Sequence, residues 1–163
     1  MKKVSAVNVY LAGPLFSRGE IKSRLDDEAQ LKEIKSNKIK FKIFNPIRFN
    51  QVIKNNAIDI EKNRCVFFDK DIKEMARAQI CIADIDNFDS GTILELGYFL
   101  GWKKKNKKLK VYVIYSNWKG AKTLNKFVEG AILRESNGMF KDIGSVIEQI
   151  KKDFKIEEEF ENE

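Results

Sequence analysis

The chain of 163 residues is 43% hydrophobic and 34% charged with a formal net charge of +7, the balance of one folded domain with a substantial core. It contains no histidine, which excludes the commonest general base and the commonest zinc ligand and leaves acid/base chemistry to carboxylates, tyrosine, lysine or thiol. No apolar run approaches the roughly 20 residues that cross a bilayer, and "MKKVSAVNVYLAGPLF" lacks a long apolar core with a cleavage site behind it, so a cytoplasmic protein is expected.

In chain order, the apolar run "VNVYLAG" (7–13) reads as a buried strand ending in a glycine turn, and "IKSRLDDEAQLKEIKS" (21–36) follows with apolar residues at helical spacing. "IKFKIFNP" (39–46) alternates as a strand and stops at Pro46; "IRFNQVIKNNAIDI" after it has no clear period and reads as a loop with broken helix. A helix over 61–79, a strand over 80–86, a helix over 92–105 and a strand over 109–116 come next. Helical periodicity returns over 123–133 and 143–156. Strands alternating with helices predict an α/β, flavodoxin-like three-layer sandwich around a parallel sheet of four or five strands. One domain is expected over 1–156, followed by an acidic tail, 157–163, that frays.

Three features have structural explanations. Cys65 and Cys81 stand in no metal-type spacing and read as reduced, structural thiols. Six lysines within "KKKNKKLK" (103–110) complement a negative helix end, and without interleaved arginine and aromatic residues they do not predict nucleic-acid binding. Gly97 and Gly101 form a small-residue step for close packing against the sheet or a partner helix.

In open α/β sheets a ligand binds at the carboxyl ends of the strands, near a switch in strand order. That edge receives Tyr10, then Asp84, Asp86 and Asp89 from "ADIDNFD", then Glu95. Thr92 and Glu95 also fit the S/T-x-x-E capping box, a purely structural use of the same glutamate. Neither a G-x-x-x-x-G-K-[ST] nor a G-x-G-x-x-G loop follows the first strand, and "LAGP" stands where a phospho-receiver domain needs an acidic pair. What is left is carboxylate chemistry on a neutral, sugar-sized ligand, in which one carboxylate traps an oxocarbenium-like sugar and a second acid protonates the leaving group. It requires no cofactor and no metal, and in a first helical turn the dipole would hold Glu95 ionised.

Taken together, "NVYLAGPLFS", "DKDIKEMARAQICIAD", "DSGTILELGY" and "LNKFVEGA" resemble the nucleoside 2-deoxyribosyltransferases, over residues 8 to 133. The resemblance implies that Glu95 is the nucleophile at C1′ of a 2′-deoxyribonucleoside and that Asp71 protonates the departing nucleobase. Asp89 would hold the sugar hydroxyls, Tyr10 would orient the nucleophile and Phe16 would stack on the base. Gly13 and Gly91 fall in the same motifs as substrate-binding positions. Asn125 would reach a neighbouring subunit's sugar, which implies a homo-oligomer. The chain departs from the family in its C-terminal extension, so no contact of a terminal carboxylate with a site is carried over. Phe16 leans the expected base preference toward purines. An alternative is the related class that hydrolyses deoxynucleoside 5′-monophosphates, which carries a serine where this chain has Asp89; a carboxylate there repels a phosphate. A non-catalytic nucleoside-binding module is the other alternative, with no reason to gather three carboxylates on one edge.

Overall fold

A computed structural model of the chain describes residues 4–49, 65–116 and 124–156. Five strands, β1 (Ser5–Ala12), β2 (Ile39–Phe44), β3 (Ile80–Asp84), β4 (Lys110–Ile114) and β5 (Met139–Phe140), form one sheet in the order β2-β1-β3-β4-β5. All four pairings are parallel. Parallel strands joined by crossovers put helices on both faces, so the central strands are apolar on both sides. β3, "ICIAD", shows this: its first four residues are all buried.

The period of two along each strand divides the core into halves. Tyr10, Ala12, Cys81, Ala83, Val111 and Val113 face α2 (Cys65–Arg77), α3 (Ser90–Lys105) and α4 (Lys126–Glu135), where they pack on Met75, Leu96, Phe99 and Ile132. Val9, Leu11, Ile80, Ile82 and Tyr112 face α1 (Arg18–Lys32) and α5 (Ile143–Phe154) and pack on Leu31, Val146 and Ile150. The expected three-layer sandwich is therefore observed, with five strands.

β5 has no counterpart among the elements read from the sequence. It is two residues long, joined to β4 through Val113↔Met139 and Ile114↔Phe140, and follows Gly138 at φ +134°, a conformation that favours glycine. Two residues cannot establish a period, so no sequence pattern announces it. The unpatterned segment after Pro46 begins as a helical turn at 46–49, and its remainder lies outside the described residues, as does the acidic tail. No helix among the described residues is long and apolar enough to cross a membrane. Both cysteines are free thiols, Cys65 exposed and Cys81 buried.

The strand order turns at β1: β2 lies to one side of it and β3 to the other, and their crossover helices lie on opposite faces. The turns leaving β1 and β3 diverge and open a crevice at their carboxyl ends, where ligands bind in this fold class.

Candidate active site

Glu95 is not a capping residue. α3 begins at Ser90, two residues before the start read from the sequence, and its N-cap is Asp89. Oδ2 of Asp89 accepts hydrogen bonds from the Thr92 backbone N–H and the Thr92 hydroxyl, both at 2.7 Å. Aspartate competes well for a cap position, and its acceptor meets two donors at once. Glu95 therefore sits in the second turn, on the face that meets the sheet. Gly91 lies directly beneath the cap, where an added β-carbon would stand 3.2 Å from Oδ2 of Asp89.

Relieved of capping, Glu95 reaches the sheet, and the Tyr10 hydroxyl of β1 donates to its Oε1 at 2.6 Å. Tyr10 is fully buried, stacked on Phe44 of β2 at 5.4 Å between ring centroids and tilted against Phe99 at 5.6 Å. Packed rings on two sides leave its hydroxyl one direction in which to point, so Tyr10 orients the carboxylate.

The expected effect of the helix dipole on Glu95 is overturned. Burial, which penalises the charged form, pushes its pKa up to about 7; the charges of Asp71 and Asp89 push the same way, and the Tyr10 hydrogen bond only partly opposes them. Asp71, in the second turn of α2, is raised to about 6 by burial, with Lys70 opposing. The Tyr10 phenol is held far above its ordinary range by burial and by Glu95 and Asp71, so it stays protonated and stays a donor. The Cys81 thiol on β3 is pushed up by burial and by the Glu95 carboxylate. Two largely buried carboxyl groups that titrate near neutrality and influence each other can divide acid and base duties.

Tyr10, Glu95, Asp71 and Asp89 are thus brought together. Asp84 and Asp86 serve structure instead. Asp84 is paired with the buried Arg24 of α1 and accepts from the Asp86 N–H, while Asp86 accepts from Ser116 N–H at 2.7 Å. Gly13 has a packing role: an added β-carbon would stand 2.7 Å from Cδ of Arg24. Phe16 lies at the rim of the crevice and is 83% exposed. Asn125 does not join the site within its own chain. It is the exposed N-cap of α4, its Oδ1 accepting from the Phe127 and Val128 N–H groups. Gly97 and Gly101 do not pack on the sheet: among the described residues nothing lies within 4 Å of a β-carbon added at either, and they line an open groove on the outer face of α3 with Leu94, Tyr98 and Trp102.

Sequence reading missed Phe44, the platform beneath Tyr10, and Lys70, whose Nζ lies 5.4 Å above the Phe44 ring and whose charge reaches Asp71. The alternation of "IKFKIF" places Phe44 on one side of β2, and only the β1–β2 register, Tyr10↔Phe44, brings it beside Tyr10.

The sequence model described as nucleoside 2-deoxyribosyltransferase matches residues 9–152. An uncharacterised protein of Ureaplasma parvum serovar 3 is 36% identical over 135 residues, covering 78% of this chain and 84% of that one. Among solved structures, the 2-deoxyribosyltransferase of the psychrotolerant bacterium Bacillus psychrosaccharolyticus superimposes with a TM-score of 0.63 at 23% identity, over 86% of this chain and 90% of that one, a likeness of fold. With the family match covering nearly all of the sheet and both carboxylate-bearing helices, the chain belongs to the nucleoside 2-deoxyribosyltransferase family.

Proposed function

We propose that the protein exchanges the nucleobase of 2′-deoxyribonucleosides, through a deoxyribosyl ester on Glu95. The observation that carries the reading is the 2.6 Å hydrogen bond from the buried Tyr10 hydroxyl to Oε1 of Glu95, which fixes one oxygen and leaves Oε2 to attack. In the first half-reaction Oε2 bonds to C1′ as the C1′–N bond breaks. Its electron pair leaves with the base, which takes a proton from the Asp71 carboxyl. In the second, a new base attacks C1′ and gives its proton to the Asp71 carboxylate, and the Glu95 carboxylate departs. Two displacements at C1′ retain its configuration.

The active form needs Glu95 ionised and Asp71 protonated. Burial raises both groups toward neutrality, Glu95 to about 7 and Asp71 to about 6, so both protonation states of each are within reach near neutral pH. Activity should peak between these values. Asp89 commits Oδ2 to the helix cap, which leaves Oδ1 for the sugar hydroxyls. A fixed negative charge there favours an unphosphorylated sugar. The 2′-OH of a ribonucleoside withdraws electrons from the oxocarbenium-like state, so deoxyribonucleosides should be preferred. The exposed Phe16 ring supports stacking of a base, purines ahead of pyrimidines.

We further propose that Asn125 acts in a neighbouring copy's site within a homo-oligomer. Its exposure beside Phe127, itself 86% exposed, supports this, as does the apolar groove on α3. The test of the whole reading is chromatography of a deoxyribonucleoside incubated with a second free base. Exchange is expected with parallel double-reciprocal plots; intersecting plots would argue against a covalent intermediate.

A further inference from the structure

Among the described residues, a side-chain pair crosses the rim of the crevice between the turns after β1 and β3. Glu20, in the first turn of α1, completes a capping box with Ser17: its Oε2 accepts from the Phe16 N–H at 2.9 Å and the Ser17 N–H at 2.7 Å. Its other oxygen, Oε1, accepts from Nδ2 of Asn87 at 2.8 Å, across 67 residues of sequence. A single carboxylate thus fastens the backbone that carries Phe16 to the turn "DNFD", which carries Asp89 two residues after Asn87. These turns leave adjacent strands toward opposite faces of the sheet, so no ladder hydrogen bonds hold them together at this level. The buried Arg24–Asp84 pair ties them at the base of the crevice.

The turn after β3 is fastened on its other side as well. Asp86 accepts from Ser116 N–H, and Phe88, in the left-handed region at φ +47°, stacks edge-on against Tyr115 at 5.7 Å. A non-glycine residue in that region is held there by its surroundings. The turn is therefore held on one flank by Asp86 and Phe88 and on the crevice flank, at the rim, by Glu20.

Resting on the reading of Phe16 as base platform and Asp89 as sugar holder, we propose that Glu20 and Asn87 form a positioning clasp. It sets the separation between the base-binding and sugar-binding rims and so tunes substrate capture. Neither residue touches the reacting atoms. Because Asn87 is exposed, the hydrogen bond adds little to global stability, and its loss should appear in binding rather than in melting.

The test uses a donor-acceptor exchange. Asn87→Asp places two carboxylates face to face and opens the clasp. Glu20→Gln combined with Asn87→Asp closes it again, because glutamine can accept from Phe16 and Ser17 N–H through its carbonyl and donate through its amide to the carboxylate introduced at position 87; glutamine also preserves the capping box. With full-length protein and base exchange as the assay, N87D should raise KM for the deoxyribonucleoside about threefold or more. Its kcat should stay within twofold and its melting temperature should not change. The double variant should return KM to within twofold of wild type, and N87A, which removes the tie without adding repulsion, should fall between wild type and N87D. An N87D protein with wild-type KM, or a double variant as impaired as N87D, would overturn the clasp. Absence of exchange in the wild-type protein would instead overturn the reading on which it rests.

Discussion

Glu95 holds its carboxyl where water is scarce and where Asp71 and Asp89 add to the cost of its charge. Its folded-state pKa, about 7, stands above its ordinary value of 4.5, so the folded protein binds this proton more tightly than the unfolded chain. That contribution to stability is complete below about pH 4.5 and is lost as pH rises through about 7. Glu95→Gln keeps an acceptor for the Tyr10 hydroxyl and has nothing to titrate. Discounted for partial exposure, it should be more stable than wild type by about 2 kcal/mol at pH 8 and nearly equal at pH 5, measured by denaturant unfolding, while losing exchange. Asp71 offers a second check. The kcat/KM profile should be a bell with limbs near pH 6 and 7. Asp71→Asn should lower the rate at least a hundredfold and abolish the alkaline limb, leaving a single acidic limb set by the ionisation of Glu95.

At the scale of elements, helix α3 shows what the sequence conveyed and what it concealed. Its existence, its apolar face and the location of Glu95 near its start were legible from "TILELGYFLGWKKK". Its first residue was not, because T-x-x-E at Thr92 and Glu95 resembles a capping box, while the operative cap, Asp89 with Thr92, stands three residues earlier. The genuine box of this spacing is Ser17 with Glu20 at the head of α1, equally visible in "SRGE". Both candidates satisfy one pattern, and only burial separates them: Glu20 lies at the rim, whereas Glu95 lies inside, where a better hydrogen bond awaits. The sheet was legible from alternating apolar runs except for β5, whose pairing depends on Gly138 rather than on any period. The capping duty of Asp89 and its proposed hold on the sugar can be separated at this scale. Asp89→Asn should keep the cap and the melting temperature yet raise KM for the nucleoside. Asp89→Ala should also destabilise the fold by about 1–2 kcal/mol, since the buried Thr92 hydroxyl loses its acceptor.

For the whole molecule, the single-chain fold gathers Tyr10, Asp71, Asp89 and Glu95 at the β1/β3 crevice and leaves Asn125 outside it. The capping role of Asn125 determines which substitution is informative. Alanine would remove the cap at a cost of about 1 kcal/mol, whereas Asn125→Ser retains an acceptor and removes the amide. Asn125→Ser and Glu95→Ala should each lack activity alone. Once subunit exchange has been demonstrated by mass or fluorescence, a mixture of the two should recover part of it, because some sites then hold both wild-type residues. No recovery after proven exchange would place Asn125 outside its neighbour's site.

The ester on Glu95 is the claim on which the chemistry turns, and it can be weighed directly. The wild-type protein is mixed with a deoxyribonucleoside in the absence of any acceptor base, quenched in acid, and its intact mass measured, with peptide mapping of the product. One deoxyribosyl group should be attached, located on Glu95, absent from Glu95→Gln, and discharged when a free base is added before the quench. Base exchange at wild-type rates with no adduct at any time, or an adduct on another residue, would contradict this account.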